Sequence, residues 1–455
     1  MRSHVPDIAE ASGVGRQTSG VEVAQPPSAV ETDRPLSTLY LMRPSLRQMA
    51  VAGAEPRRVG SSAQTAPPRR CPGSANTGPS LAGGASSQGL DQSRPASAPA
   101  TENVSLSPAP HINVLLAGKL TGMTAPGGGE TQLRAMAQAL PEVGVEARLW
   151  RPWEHDFATA ECLHLFGSEP EHLSVVQAAR QRRIPVVLSP IAWFDLASCC
   201  RGPWSFRRRG LACAKFLVRA AFPALTSWRR RLYHAVDLLL PNSQAEAEQL
   251  IRYFQVPPDR IRIVPNGAER RFASAVPEPF ADKVGCRDFI LYAGRIEPRK
   301  NQLMFLRAME GIVVPIVVLG SAVPGHEAYF EECQRTAGRN VQFVGGLEHD
   351  DPLLASAYAA CGCLVLTSWY ETPGLVALEA AMSGTPLVLP RGGCAREYFG
   401  DLAAYVSPGD VDGIRRAVLD ALSAGCSPQL ASLVREHFAW RTAAWATREA
   451  YEYVV

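Results

Sequence analysis

The sequence predicts an α/β protein built from two facing, doubly wound Rossmann-like domains, preceded by a disordered segment. Three observations carry this expectation. From His111 onward, short apolar runs alternate with helix-like stretches. The runs are continuous in Val, Ile and Leu, as strands buried on both faces of a parallel sheet require. The pattern occurs twice, with a weakly patterned stretch near Phe272–Asp288, punctuated by Pro277 and Pro279, between the blocks.

Residues 1–110 come first, and they differ from the rest of the 455-residue chain. They are crowded with Pro, Ser, Ala, Gly and Arg, and Tyr40 is their only aromatic residue. So few large apolar side chains cannot offset the entropy of ordering the chain, so the segment is expected to be disordered. It reads as a regulatory tail or an over-extended translation start, dispensable for activity. No apolar h-region of about 7–15 residues follows its basic start, so it is not a secretory signal.

The first domain is expected over 111–275, with strands at Ile112–Ala117, Glu146–Trp150, Cys162–Phe166, Pro185–Ser189, Val236–Leu240 and Arg260–Val264. Helical patterns between them include Thr131–Leu140 and Ser243–Phe254. In open α/β sheets ligands bind in the loops at the carboxyl ends of the strands. The first such loop reads GKLTGMTAPGGGETQ, and Gly127, Gly128 and Gly129 stand directly before a helix. There the backbone can approach a ligand closely and helix amides can face an anion. This is not the dinucleotide fingerprint, which excludes an NAD-dependent oxidoreductase.

The second domain is expected over 276–435, with strands at Phe289–Ala293, Val313–Leu319, Val341–Val344, Leu364–Thr367 and Pro386–Leu389. Its first loop, LYAGRIEPRKNQ, places Arg295 and Lys300 beyond a strand end, before a helix that starts after Pro298. Arg as a planar fork and Lys as a point charge suit a diphosphate. The stretch ETPGLVALEAAMSGTPLVLP carries two carboxylates, Glu371 and Glu379, around a Pro-Gly break and a short helix. Residues 436–455 are expected to form a C-terminal helix, with Trp440, Trp445, Tyr451 and Tyr453, that packs back across the domains.

Composition limits the function. No apolar run approaches the ~18 residues of a membrane-spanning helix. The eleven cysteines fit neither a metal spacing nor a disulfide framework, and Cys361 and Cys363 read as core. A reducing, cytoplasmic location follows from that usage. The net charge of +3 hides one asymmetry: 196–236 holds eight Arg and one Lys and no acid. Arg interleaved there with Trp204, Phe206, Phe216, Phe222 and Trp228 suits contact with an anionic lipid surface. Nucleic acid is not expected as a partner.

AGRIEPRKNQ, VLTSWYETPGLVALEAAMSGTPLVLP and REYFGDLAAYVSPGDV together resemble the nucleotide-sugar-binding domain of the family 4 glycosyltransferases, retaining enzymes of the GT-B fold. LLLPNSQAEAEQL and RIRIVPNGAERRF are similar to the end of that family's N-terminal domain. The resemblance covers roughly 111–455. It implies that Glu371 holds hydroxyls of the donor sugar near the anomeric carbon, and that Glu379 accepts hydrogen bonds from the ribose. Arg295 and Lys300 would stabilise the departing diphosphate, with Glu371 as the catalytic set. Pro373, Gly374 and Leu375 would form the helix entry, whose free N–H groups meet sugar or phosphate oxygens. Gly128 and Gly129 complete the substrate-binding residues.

The implied activity is a metal-independent glycosyltransferase with no cofactor, moving a sugar from a UDP- or GDP-sugar to a glycan or lipid-linked acceptor. It would work on the cytoplasmic face of a membrane. Asp410 and Asp412 imitate an Asp-x-Asp metal motif but open a helix, where acids cap and complement the dipole. Many relatives carry a histidine after the fourth strand. Here Ser189, Pro190 and Ile191 stand instead, with Trp193 and Asp195 as substitutes. A catalytically silent nucleotide-sugar binder would keep the same donor half. A nucleotide-sugar epimerase shares the architecture but not the Glu-x7-Glu and Arg-x4-Lys pattern.

Overall fold

The structure, a computed structural model, describes residues 112–119, 127–151, 157, 159–201 and 205–455. The expectations for 1–110, and Trp204, lie outside the described residues.

The N-terminal lobe runs β1 (Ile112–Ala117), α1 (Gly128–Ala139), β2 (Val145–Leu149), β3 (Cys162–Phe166), α2 (His172–Gln181) and β4 (Val186–Ser189). It continues with α3 (Leu196–Arg201), α4 (Phe206–Ala221), α5 (Trp228–Ala235), β5 (Leu238–Leu239) and α6 (Gln244–Phe254). All of its strands pair in parallel, in the order β2-β1-β3-β4-β5. Side chains on the two faces of this sheet form two separate apolar clusters.

The C-terminal lobe begins with α7 (Glu278–Val284), β6 (Phe289–Ala293), α8 (Gln302–Ala308), β7 (Ile316–Leu319), α9 (Glu327–Thr336) and β8 (Val341–Gly345). Then come α10 (Pro352–Ala360), β9 (Cys361–Val365), α11 (Leu375–Met382), β10 (Leu387–Pro390), α12 (Ala395–Phe399) and β11 (Ala404–Val406). The chain ends with α13 (Val411–Ala424), α14 (Pro428–His437) and α15 (Trp440–Val454). The strand order is β11-β10-β9-β6-β7-β8, again parallel throughout. Cys361 and Cys363 are buried in its core. Among the described residues no single helix is long and apolar enough to cross a membrane.

In both sheets the strand order reverses beside the first strand in the chain. The N-terminal sheet switches between β1 and β3, and the C-terminal sheet between β6 and β9. Crevices form at such switch points, outside the carboxyl ends of the strands.

Several elements depart from expectation, each for a local reason. The run Arg260–Val264 forms no strand. Arg262 and Val264 donate to the carbonyls of Leu239 and Pro241, but Pro241 has no N–H to return and the ladder stops. Strand β11 is three residues long, below what apolar patterning reveals. Phe272 lies before the expected boundary at 275/276, yet it shares the C-terminal core with Phe280.

The C-terminal helix expected over 436–455 forms as α15, which starts at Trp440, and a separate helix, α14, precedes it. Helix α14 packs in the C-terminal lobe, the chain breaks at Phe438–Ala439, and α15 buries Trp440, Ala443, Ala444 and Tyr451 in the N-terminal core. The outgoing and returning chains cross side by side, where the Ala268 N–H donates to the Phe438 carbonyl at 2.8 Å. A Cβ on Gly267 would sit 2.4 Å from the Trp440 nitrogen, so this crossing tolerates only glycine. Tyr451 also reaches the buried His164, whose Nδ1 lies 2.7 Å from its hydroxyl and whose Nε2 lies 2.9 Å from Ser189 Oγ. Burial pushes the His164 pKa down to about 3, so the ring is neutral and links α15 to β3 and β4 through hydrogen bonds alone.

Candidate functional site

The loops after β6 and β9 meet at the C-terminal switch point. Leaving β6, the chain passes Arg295 and Lys300, then Asn301, which takes up a left-handed backbone (φ 64°) that asparagine adopts more readily than most residues. Its amide donates to the carbonyls of Thr367 (3.0 Å) and Pro408 (2.8 Å), and Thr367 Oγ1 donates back to its carbonyl at 3.0 Å. These bonds tie the loop to the end of β9. The helix therefore begins at Gln302, later than Pro298 suggested, and Lys300 projects from the loop before it.

Lys300 Nζ lies 2.5 Å from Glu371 Oε1, and Ser368 Oγ donates to the same oxygen at 2.5 Å. Both charged side chains are nearly inaccessible, 12% and 6% exposed. Burial alone would raise the Glu371 pKa, but Lys300, Arg299 and the Ser368 hydroxyl outweigh it and hold the carboxyl below its usual range. For Lys300 burial wins: the pKa is lowered despite the attraction of Glu371. Lys300 is thus largely committed to Glu371.

Arg295 is different. Its side chain is 44% exposed and, among the described residues, its ion pair is a 3.3 Å contact with Glu297. A Cβ on Gly127 would come within 3.3 Å of its guanidinium, so the glycine loop of the N-terminal lobe lies directly against it. Gly127 caps α1, its N–H donating to Glu130 Oε2 at 2.8 Å. A Cβ on Gly128 would meet nothing within 4 Å, and one on Gly129 would lie 3.5 Å from Ile191. Gly128 is therefore open to its surroundings, and Leu375 packs against the cores of both lobes.

Glu371 is fixed through its backbone as well. Its N–H donates to the Gly392 carbonyl (3.2 Å) and its carbonyl accepts from Cys394 N–H (3.1 Å). Gly393 has φ +104°, and a Cβ there would fall 1.8 Å from the Glu371 carbonyl, so glycine is required. Pro373 lies in the short turn that follows, and Gly374, also left-handed at φ 86°, caps α11. The first N–H groups of α11 start beside Glu371, because a Cβ on Gly374 would lie 3.4 Å from Glu371 Oε2.

One turn into α11, Glu379 is also buried, its side chain 5% exposed. Tyr358 donates to its Oε2 at 2.9 Å and His349 Nε2 lies 2.9 Å from its Oε1. Tyr358, His349, Ser368, Asn301 and Gly393 all escaped the sequence reading. Only Gly393 left a signal there, a Gly-Gly pair after a strand.

The stretch after β4 places the residues that stand where relatives carry a histidine. Ser189 turns inward to His164 and is buried. Asp195 caps α3, accepting from Ala197 N–H (3.1 Å), Ser198 N–H (2.9 Å) and Ser198 Oγ (2.6 Å), which occupies it structurally. Trp193 packs against the C-terminal core and keeps an indole N–H with no hydrogen-bond partner among the described residues. The stretch is held from behind by Glu246, which accepts from Ala192 and Asn242 N–H at 2.6 and 2.8 Å. Asp410, in turn, accepts from Gly413 N–H at 2.9 Å as the cap of α13.

Comparison with known proteins agrees with this architecture. Residues 157–267 match the profile of the glycosyl transferase 4-like domain, and residues 287–424 that of the glycosyl transferases group 1. The O-antigen chain mannosyltransferase B of Escherichia coli is 25% identical over 242 residues, which are 49% of this chain and 63% of that protein. A D-inositol 3-phosphate glycosyltransferase of Paenarthrobacter aurescens is 26% identical over 385 residues, 72% of this chain and 93% of that one. Among solved structures, sucrose-phosphate synthase from Thermosynechococcus elongatus superposes with a TM-score of 0.61 at 17% identity, covering 76% of this chain and 99% of that one. Anabaena HepE, solved in complex with UDP and glucose, gives a TM-score of 0.56 at 17% identity over 75% of this chain and 100% of that one.

Proposed function

We propose that this chain, which belongs to the group 1 glycosyltransferases of the GT4-like type and has their GT-B fold, transfers a sugar from a nucleoside diphosphate sugar to a hydroxyl of a glycan or lipid-linked acceptor, retaining the anomeric configuration. The observation that carries this reading is the Lys300–Glu371 pair at the C-terminal switch point, next to the α11 amides and Arg295. A donor diphosphate fits between the α11 N-terminus and Arg295, with its sugar against Glu371 and its ribose toward Glu379. Similarity to HepE, whose structures hold UDP and glucose or UDP-glucose, supports a UDP-sugar; the mannosyltransferase relative keeps a GDP-sugar open.

In this reading each group has one task. Arg295 and the α11 amides receive the charge that grows on the departing diphosphate, fixed dipoles and charge that need no reorganisation. Lys300 serves chiefly to keep Glu371 ionised, and Glu371 offsets positive charge at the anomeric carbon. The diphosphate oxygen, on the face that the leaving group vacates, accepts the acceptor's proton. Gly128 leaves room for the acceptor on the opposite lobe.

The test is release of nucleoside diphosphate from a panel of UDP- and GDP-sugars when glycan or lipid-linked acceptors are added, with the product's anomeric configuration read by NMR. An inverted product overturns retention. Donor binding without release on any acceptor favours the silent binder.

We further propose that α4 rests on an anionic membrane at the cytoplasmic face. No residue of α4 is buried, and it combines Arg207, Arg208 and Lys215 with Phe206 (85% exposed), Leu211 and Leu217. Phe222, just beyond its end, is exposed as well. Each basic residue near such a surface contributes ~1 kcal/mol. Co-flotation with phosphatidylglycerol vesicles at low salt is the expected outcome; a protein that stays unbound there overturns it.

A further inference from the structure

The carboxylate of Glu379 is held at both oxygens. Tyr358 OH donates to Oε2 from α10, and His349, in the loop after β8, meets Oε1 through Nε2, each at 2.9 Å. A carboxylate offers about four lone-pair positions, two on each oxygen. One on each is therefore taken, and one on each is left. Two acceptor sites side by side on one rigid carboxylate match the two hydroxyls of a vicinal diol such as ribose.

His349 is itself tightly placed. Its Nδ1 lies 3.5 Å from Glu269 Oε1, on the chain that links the lobes, and its carbonyl accepts from Arg271. Arg271 is paired with Glu269 at 2.7 Å, and the edge of Phe272 flanks the ring at 6.1 Å between centroids. Burial works against an imidazolium here, but Glu379 and Glu269 outweigh it and the His349 pKa is raised. A carboxylate oxygen only accepts, so in the 2.9 Å hydrogen bond to Oε1 it is Nε2 that donates.

We propose that His349 is the positioning residue that makes Glu379 select ribose over 2′-deoxyribose, by fixing Oε1 so that both carboxylate oxygens point their free lone pairs at the 2′- and 3′-hydroxyls. The inference rests on the reading of Glu379 as the ribose acceptor. Without the His349 contact, Tyr358 holds one oxygen only and the carboxylate can swing about that bond. It then meets one hydroxyl nearly as well as two. A site built to accept a hydroxyl rejects the analogue that lacks it, because the buried acceptor loses its partner. That selectivity requires the acceptor to stay in place.

The experiment is calorimetric titration of the full-length protein with UDP and 2′-deoxy-UDP, and with GDP and 2′-deoxy-GDP. Wild type is expected to prefer the ribonucleotide by about tenfold or more, the size of one hydrogen bond to a charged group. His349→Ala is expected to lose most of that preference through weaker ribonucleotide binding, with the 2′-deoxy affinity nearly unchanged. His349→Gln, whose amide N–H can reach Oε1, is expected to restore it. A merely structural role would weaken both nucleotides equally, and that result overturns the proposal. If Glu379→Gln abolishes the preference while His349→Ala keeps it, the ribose reading stands and the role of His349 falls. If wild type shows no preference at all, the ribose reading itself falls.

Discussion

Glu371 and Glu379 flank one helix entry, eight residues apart, and both are buried, yet their surroundings have little in common. In the loop before α11, Glu371 faces a lysine, a serine hydroxyl and, nearby, Arg299. One turn into α11, Glu379 faces a tyrosine hydroxyl and a histidine. A carboxylate can be buried only where partners replace its water, and the kind of partner shows what the charge is for. Cations that hold Glu371 ionised suit a group that must answer positive charge in a transition state. Hydrogen-bond donors that orient Glu379 but leave acceptor sites open suit a group that recognises hydroxyls.

The largest effect that sharpens this contrast concerns Lys300. Lys300→Met leaves Glu371 buried without its counter-ion, and breaking a buried pair from one side costs about 3–5 kcal/mol. Urea unfolding at pH 7 measures it, and adding Glu371→Gln is expected to recover most of the loss. The sign with pH follows from the same pair. In the folded state the Glu371 pKa lies below the ordinary carboxylate value, so its stabilisation is complete above that ordinary value and drains away as pH falls through the lower, folded pKa. Glu371→Gln is expected to flatten this acid limb.

Next in size, Glu371→Gln would, in the proposed reading, remove charge beside the reacting carbon without changing shape. By analogy with removing one preorganised group from a transition state, kcat is expected to fall about 10²–10³-fold. In the same proposed reading, Glu379→Ala acts on a part of the donor that does not react. It is expected to weaken donor and free nucleoside diphosphate alike by about 1.5–3 kcal/mol, with KM rising more than kcat falls. Smallest is Asp410→Ala, far from either carboxylate in role. Loss of a helix cap costs about 0.5–2 kcal/mol of stability, and activity is expected to be unchanged, with or without a chelator. An activity loss rescued by a divalent cation would mean that the Asp-x-Asp motif binds metal.

Much of this contrast was legible in the sequence, but unevenly. Strands β1, β3 and β6 fall at their expected bounds, because runs such as FILYA are buried on both faces and carry no competing signal. Glu371, Glu379, Arg295 and Lys300 were visible as a spacing around loops that follow strands. What the spacing could not show is that Lys300 is spent on Glu371 while Arg295 stays half open, since burial is decided by the other loops. Nor could it show His349 or Tyr358: a lone histidine in an acidic loop and a tyrosine in an alanine-rich helix look ordinary until folding brings both to Glu379. The start of the C-terminal helix, expected at 436 and found at Trp440, was blurred for a related reason. Helix propensity runs almost unbroken through 428–454, and the break at Phe438–Ala439 is imposed by the crossing beside Gly267.

The most direct test of the division of labour is the affinity of free nucleoside diphosphate, UDP or GDP, for Glu371→Gln and Glu379→Ala, measured by isothermal titration against wild type. The diphosphate carries ribose but no sugar. Glu379→Ala is therefore expected to lose about 1.5–3 kcal/mol of binding, while Glu371→Gln binds almost as tightly as wild type. Equal losses in the two variants would contradict the assignment and make Glu371 a support of the phosphate loop.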